Sequence, residues 1–124
     1  MKNQKPAFFM GSSKGDLRAF PDDARRVMGV AINDAQDGEE HPSAKALKGF
    51  GGRSVLEVVD DYDGDAYRAV YTVRFAGAVY VLHCFQKKSK RGRETPGHHI
   101  DIVRLRLKAA EAHYQTYIGK GARQ

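Results

Sequence analysis

The chain has 124 residues, 41% of them hydrophobic, and 21 lysines and arginines against 15 acidic residues give a formal net charge of +6. That length supplies one core and not two, and that hydrophobic content argues against disorder. No stretch approaches the roughly 20 apolar residues a membrane helix needs, Met1 to Phe9 carries no apolar run of the secretion-signal kind, and the single cysteine, Cys84, rules out an internal disulfide or a cysteine-rich metal site.

A reducing cytoplasm is therefore the expected compartment, and the basic balance favours polyanionic partners over a membrane. The first elements read as helices. Ser13-Lys14-Gly15-Asp16 predicts a side-chain-capped start, with a short helix through Leu17 and Phe20. Pro21 suits the first turn of a second helix, and Asp22 and Asp23 complement the positive end of its dipole. Ala24, Val27, Met28, Ala31, Ile32 and Ala35 then recur at helical spacing, and Gly38 is a natural stop. His41 to Gly52, with Pro42, Gly49 and Gly51, reads as a loop.

Three antiparallel strands follow. Asp63-Gly64 is a strong signal for a two-residue hairpin turn, and Ala76-Gly77 is a weaker one. Two such turns set Tyr62 opposite Asp65, Val58 opposite Ala69, Arg68 opposite Phe85, Ala69 opposite Cys84, Tyr71 opposite Leu82, and Val73 opposite Tyr80. The resulting core face holds Leu56, Val58, Tyr67, Ala69, Tyr71, Val73, Tyr80, Leu82 and Cys84. The other face, with Glu57, Arg68, Val70, His83, Phe85 and Lys87 among its residues, is mixed and is expected to look outward or into a groove.

Lys87 to Arg93 reads Lys-Lys-Ser-Lys-Arg-Gly-Arg, a basic loop closed by Pro96-Gly97. Ile100, Val103, Leu107, Ala110 and Tyr114 then predict a last helix packed back on the sheet, with Arg104 and Lys108 on a basic side. The expectation is one domain over residues 1–124, with a core from about 9 to 117 and a frayed tail over 119–124.

The basic loop leads directly out of the open sheet face. Cations there with an exposed Phe85 suit single-stranded RNA, where charge holds phosphates and a ring stacks on a base. A solvated loop that keeps the chain soluble explains the same charges. Arg68 has an equally plain role, a cross-strand ion pair with Glu57. His98 and His99 open the last helix beside the loop; they are helix-start residues without a role, or they supply an acid or base near neutral pH. No metal-ligand spacing is present, and the glycines near Gly49 lack the strand before and the Lys-Ser/Thr after that a nucleotide loop requires.

Leu47-Lys48-Gly49-Phe50-Gly51, Val55-Leu56-Glu57-Val58, Tyr67-Arg68-Ala69-Val70-Tyr71 and the run from Tyr80 to Ser89 come in order, followed by Thr95-Pro96 and the closing helix. Across roughly Phe9 to Tyr114 this ordered set resembles the phage-derived HigB-type branch of the RelE/ParE toxin superfamily. The resemblance implies an α+β fold, N-terminal helices packed on a twisted antiparallel sheet with a C-terminal helix. It further implies a type II toxin that cuts mRNA on the ribosome, without cofactor or metal, and is held by a cognate antitoxin, often a helix-turn-helix protein. RelE-like toxins place an arginine in the Tyr-Arg strand motif and basic residues just after the last strand, which match Arg68, Lys87 and Lys88. They also place a tyrosine after that motif, and this chain has none between Tyr80 and Tyr114.

On that resemblance the expected catalytic set is Arg68, Lys87, Lys88 and His99. Arg68 and Lys88 hold the charge on the phosphorane, Lys87 shares that role or acts as base, and His99 is the acid. Lys45, Lys48, Arg53, Phe85, Lys90, Arg91 and Arg93 are the expected RNA contacts. Two other readings stay open at this point: a ParE-like topoisomerase poison, and a non-enzymatic module that binds RNA or an antitoxin.

Overall fold

The structure, a computed structural model, describes residues 4–87 and 95–122. It is an α+β arrangement of a five-stranded sheet between two helical layers, with strands β1 (Ala7–Phe9), β2 (Lys45–Ala46), β3 (Val55–Tyr62), β4 (Asp65–Thr72) and β5 (Val79–Lys87). The helices are α1 (Ser13–Arg18), α2 (Asp22–Gln36) and α3 (Gly97–Ala122). The strand order is β1-β5-β4-β3-β2.

The first hairpin forms as its turn chemistry demands. Asp63 and Gly64 both take positive φ, 51° and 85°, the geometry of a two-residue turn whose twist matches its strands. Tyr62 pairs with Asp65 and Val58 with Ala69. The α2 helix begins after Pro21 and ends before Gly38, at φ 81°. Its face of Ala24, Met28, Ala31, Ile32 and Ala35 is buried against Leu56, Val58, Ala69 and Tyr71 of the sheet.

Several expectations are corrected. The sheet is mixed and not purely antiparallel, because β1 pairs in parallel with β5 through Ala7–Val79, Phe8–Tyr80 and Phe9–Val81. Three residues without alternation, whose partner is distant in sequence, carry no local strand signal. A second short strand, β2, lies inside the expected loop and pairs Lys45 with Glu57. Ser12, at the α1 cap position, makes no side-chain cap to the backbone; its hydroxyl donates to Asp16 Oδ2 at 2.7 Å, and α1 stops at Arg18, short of Phe20. The C-terminal helix runs from Gly97 to Ala122.

The β4–β5 turn is longer than two residues. Thr72 Oγ1 and the Val73 amide both donate to the Ser54 carbonyl, at 2.7 and 3.0 Å, which ends β4 at Thr72. Thr72, not Val73, then faces Tyr80, while Ala69–Cys84 and Arg68–Phe85 hold as expected. The difference is absorbed by a bulge: Val70 pairs with His83 and Tyr71 with Val81, which leaves Leu82 extra.

That bulge reassigns the faces. Val79, Val81 and Cys84 pack toward α1 and α2, whereas Tyr80, Leu82 and Phe85 pack toward Val103 and Ala110 of α3. The face expected to be open is therefore a second core, covered by α3, and Val73 is exposed. Among the described residues, no helix is long and apolar enough to cross a membrane.

Candidate functional site

The start of α3 lies over the β4–β5 pair, and of the expected catalytic residues Arg68 and His99 come together there. Pro96 opens the helix by accepting from the His99 amide at 3.0 Å and the Ile100 amide at 3.1 Å. That places the His99 ring on the Phe85 ring, with centroids 3.8 Å apart and planes 17° from parallel. His83 stacks beside both rings, its centroid 4.8 Å from that of Phe85 and 5.0 Å from that of His99, and its Nε2 lies 2.8 Å from His99 Nδ1. His83 and Leu82 both project toward α3, as a bulge allows for two consecutive residues.

Arg106 closes the cluster from two helical turns further along α3. Its Nη1 donates to the Leu82 carbonyl at 3.0 Å and lies 3.2 Å from His83 Nδ1. Its Nη2 donates to Ser12 Oγ at 3.2 Å. Gly11 makes room for it: a Cβ there would stand 2.5 Å from Arg106 Nε, and Gly11 has φ 55° besides. Sequence reading missed Arg106, although its i+7 spacing from His99 puts the two on one helix face.

Behind the imidazoles sits a buried ion pair. Arg68 Nη1 donates to Glu57 Oε1 at 3.2 Å, and Thr95 Oγ1 donates to Glu57 Oε2 at 2.7 Å. The Arg68 and Glu57 side chains are only 4% and 12% exposed, so the plain cross-strand role is the one observed. Burial, then His98, then Arg68 hold the His99 pKa below the ordinary histidine value. Burial first, and then Arg106 and His99, push His83 down to about 4. Both rings are therefore neutral at pH 7. Burial raises the Cys84 thiol to about 12, which leaves it a poor nucleophile.

The other expected contacts divide. Phe85 is buried and cannot stack on a base from this position; the bulge and α3 cover it. Arg53 is exposed and forms a surface ion pair with Glu40. Lys45 and Lys48 are exposed, and Lys45, opposite Glu57, shares the α3 face of the sheet. Lys87, half-buried, ends β5 opposite Ala66. Lys88, Lys90, Arg91 and Arg93 lie outside the described residues.

An open groove of ≈ 400 Å³ runs beside the cluster, lined by Asp16, Phe20, Pro21, Tyr67, His83 and Gln86 among others. Among the described residues, no three His, Cys, Asp or Glu side chains gather in a group that would hold a metal. The arrangement offers two neutral imidazoles in a hydrogen-bonded row with Arg106, set over the buried Arg68–Glu57 pair and beside a strand whose sequence continues into further cations.

The model of a family described as phage-derived Gp49-like proteins (DUF891) matches residues 15–108. The span includes Glu57, Arg68, His83, Phe85, His99 and Arg106. No curated protein matches the chain.

Proposed function

The chain belongs to the phage-derived Gp49-like family, and on that premise we propose that it is a type II toxin of RelE/ParE-like fold that cuts mRNA on the ribosome. The observation that carries this reading is the convergence at the start of α3. The His99 ring lies on Phe85 and beside His83, next to the strand end at Lys87 that leads into the Lys88–Arg93 run.

In this reading the ribose 2′-oxygen attacks the adjacent phosphorus and the P–O5′ bond breaks. The products are a 2′,3′-cyclic phosphate and a 5′-hydroxyl, with the 2′ proton lost to a base and one proton delivered to the 5′-oxygen. Lys87 and Lys88 supply charge at the phosphorane and take part in proton transfer. Arg68 stands behind His99 and contributes positive potential without touching substrate. Ribosome and mRNA supply most of the orientation. The working place is the cytoplasm, and a cognate antitoxin of helix-turn-helix type holds the toxin inactive.

A second reading, a non-enzymatic RNA- or antitoxin-binding module, is favoured by the burial of Arg68 and Phe85. Induced expression in a bacterial host with mapping of mRNA 5′ ends separates the two. The toxin reading predicts growth arrest and new 5′ ends within translated codons. Normal growth and unchanged ends at confirmed soluble expression contradict it.

A further inference from the structure

We propose that Arg106 fixes the ring tautomers of His83 and His99, so that His99 offers a neutral Nε2–H as a hydrogen-bond donor to an anion at the start of α3. The proposal deepens the toxin reading, and rests on it only for the identity of that anion, a backbone phosphate.

A guanidinium has donors and no acceptor. With Arg106 Nη1 at 3.2 Å, His83 Nδ1 must present its lone pair. A neutral imidazole has one N–H, so the His83 proton sits on Nε2. That nitrogen is 2.8 Å from His99 Nδ1 and donates to it. His99 Nδ1 is then an acceptor, and the His99 proton is on Nε2. Among the described residues, no other hydrogen bond is made by the His99 ring.

The chain of bonds extends backward to a carboxylate. Arg106 Nη2 donates to Ser12 Oγ, and Ser12 Oγ donates to Asp16 Oδ2 at 2.7 Å. From Asp16 through Ser12, Arg106 and His83 to His99, each donor meets an acceptor in one arrangement of protons. Protonating His99 would set its Nδ1–H against the His83 Nε2–H. His83 cannot step aside, because moving its proton to Nδ1 would set it against Arg106.

The surroundings act in the same direction. His98 and Arg106 on α3 and Arg68 on β4 all oppose positive charge on these rings, and Asp16 of α1 is the acidic group that favours it at His83. Glu57 is engaged by Arg68 and Thr95. The stacking on Phe85 holds the plane of the His99 ring and so the direction of its Nε2–H. A neutral imidazole of this kind gives a hydrogen bond without giving up its proton. His99 is thereby reassigned from the acid of the sequence reading to a positioned donor, and proton transfer falls to other groups.

The test is long-range ¹H–¹⁵N NMR of the full chain labelled at histidine, followed from pH 5.5 to 8. The proposal predicts the Nε2–H form for His83 and His99 at neutral pH, with His99 titrating below the ordinary histidine value. Arg106→Lys, which keeps a donor, retains both tautomers. Arg106→Met mixes them and lets His99 titrate toward the ordinary value near 6.5. Added inorganic phosphate should shift the His99 Nε2 signal and leave His83 unmoved. An Nδ1–H form of either ring in the wild type, or a His99 titration near 6.5, overturns the proposal. An absent phosphate shift overturns the anion assignment. If Arg106→Met fails to fold, the wild-type spectrum still decides. Because no RNA is present, these outcomes stand apart from success or failure of the cleavage reading.

Discussion

Arg68 on β4 and Glu57 on β3 form an ion pair beneath the start of α3, with N and O 3.2 Å apart and side chains 4% and 12% exposed. Removing one partner leaves the other charged and buried, so Arg68→Ala and Glu57→Ala should each cost about 3 kcal/mol. The pair Arg68→Met with Glu57→Leu removes both charges and should cost much less than the sum. Urea unfolding of the four proteins checks this. Strictly additive losses would show that the two residues do not depend on each other.

The contrast between this pair and the rest of the site shows what the sequence discloses. Arg68 lies diagonal to Glu57 because the Asp63-Gly64 turn sets one register, and that register follows from local turn chemistry and alternation. The Ala76-Gly77 turn misled because β4 ends on a tertiary contact, the Ser54 carbonyl, which no neighbouring residue announces. The bulge at Leu82 is equally invisible from strand patterning, yet it moves Tyr80 and Leu82 to the α3 face, where His83 was already expected. The Arg106 contacts join Gly11, Ser12, Leu82 and His83, segments far apart in sequence, so helix periodicity places Arg106 beside His99 but gives no sign of its other partners.

His83 should make the fold acid-sensitive. Its pKa is about 4 in the folded chain against an ordinary value of 6.5, so between those values the unfolded chain binds more protons than the folded one. Stability is then full above pH 6.5 and falls as pH drops toward 4, by roughly 2–3 kcal/mol. His99, lowered too, contributes with the same sign. Denaturant titrations at several pH values should show that slope in the wild type and a shallower one in His83→Phe. An identical slope in both would place the acid sensitivity elsewhere.

Tyr71 lies fully buried between the sheet and α2, and among the described residues its hydroxyl has no hydrogen-bond partner. Burial first, and then Glu40 and Asp34, raise its pKa to about 12. An unsatisfied buried hydroxyl is a cost, so Tyr71→Phe should leave stability unchanged or raise it by up to about 1 kcal/mol. A clear drop in the melting temperature would mean that the hydroxyl is bonded in solution.

The central claim is that the cations at the end of β5 stabilise an RNA phosphorane. Single-turnover cleavage of mRNA on programmed ribosomes, with product ends analysed and each variant melted in parallel, tests it most directly. The wild type should leave a 2′,3′-cyclic phosphate and a 5′-hydroxyl. Lys88→Ala should cut about a hundredfold more slowly, the loss of one transition-state contact worth about 3 kcal/mol, with little change in melting or in ribosome affinity. A wild-type protein that binds programmed ribosomes and leaves the mRNA intact, or a folded Lys88→Ala that cleaves at the wild-type rate, would contradict the account.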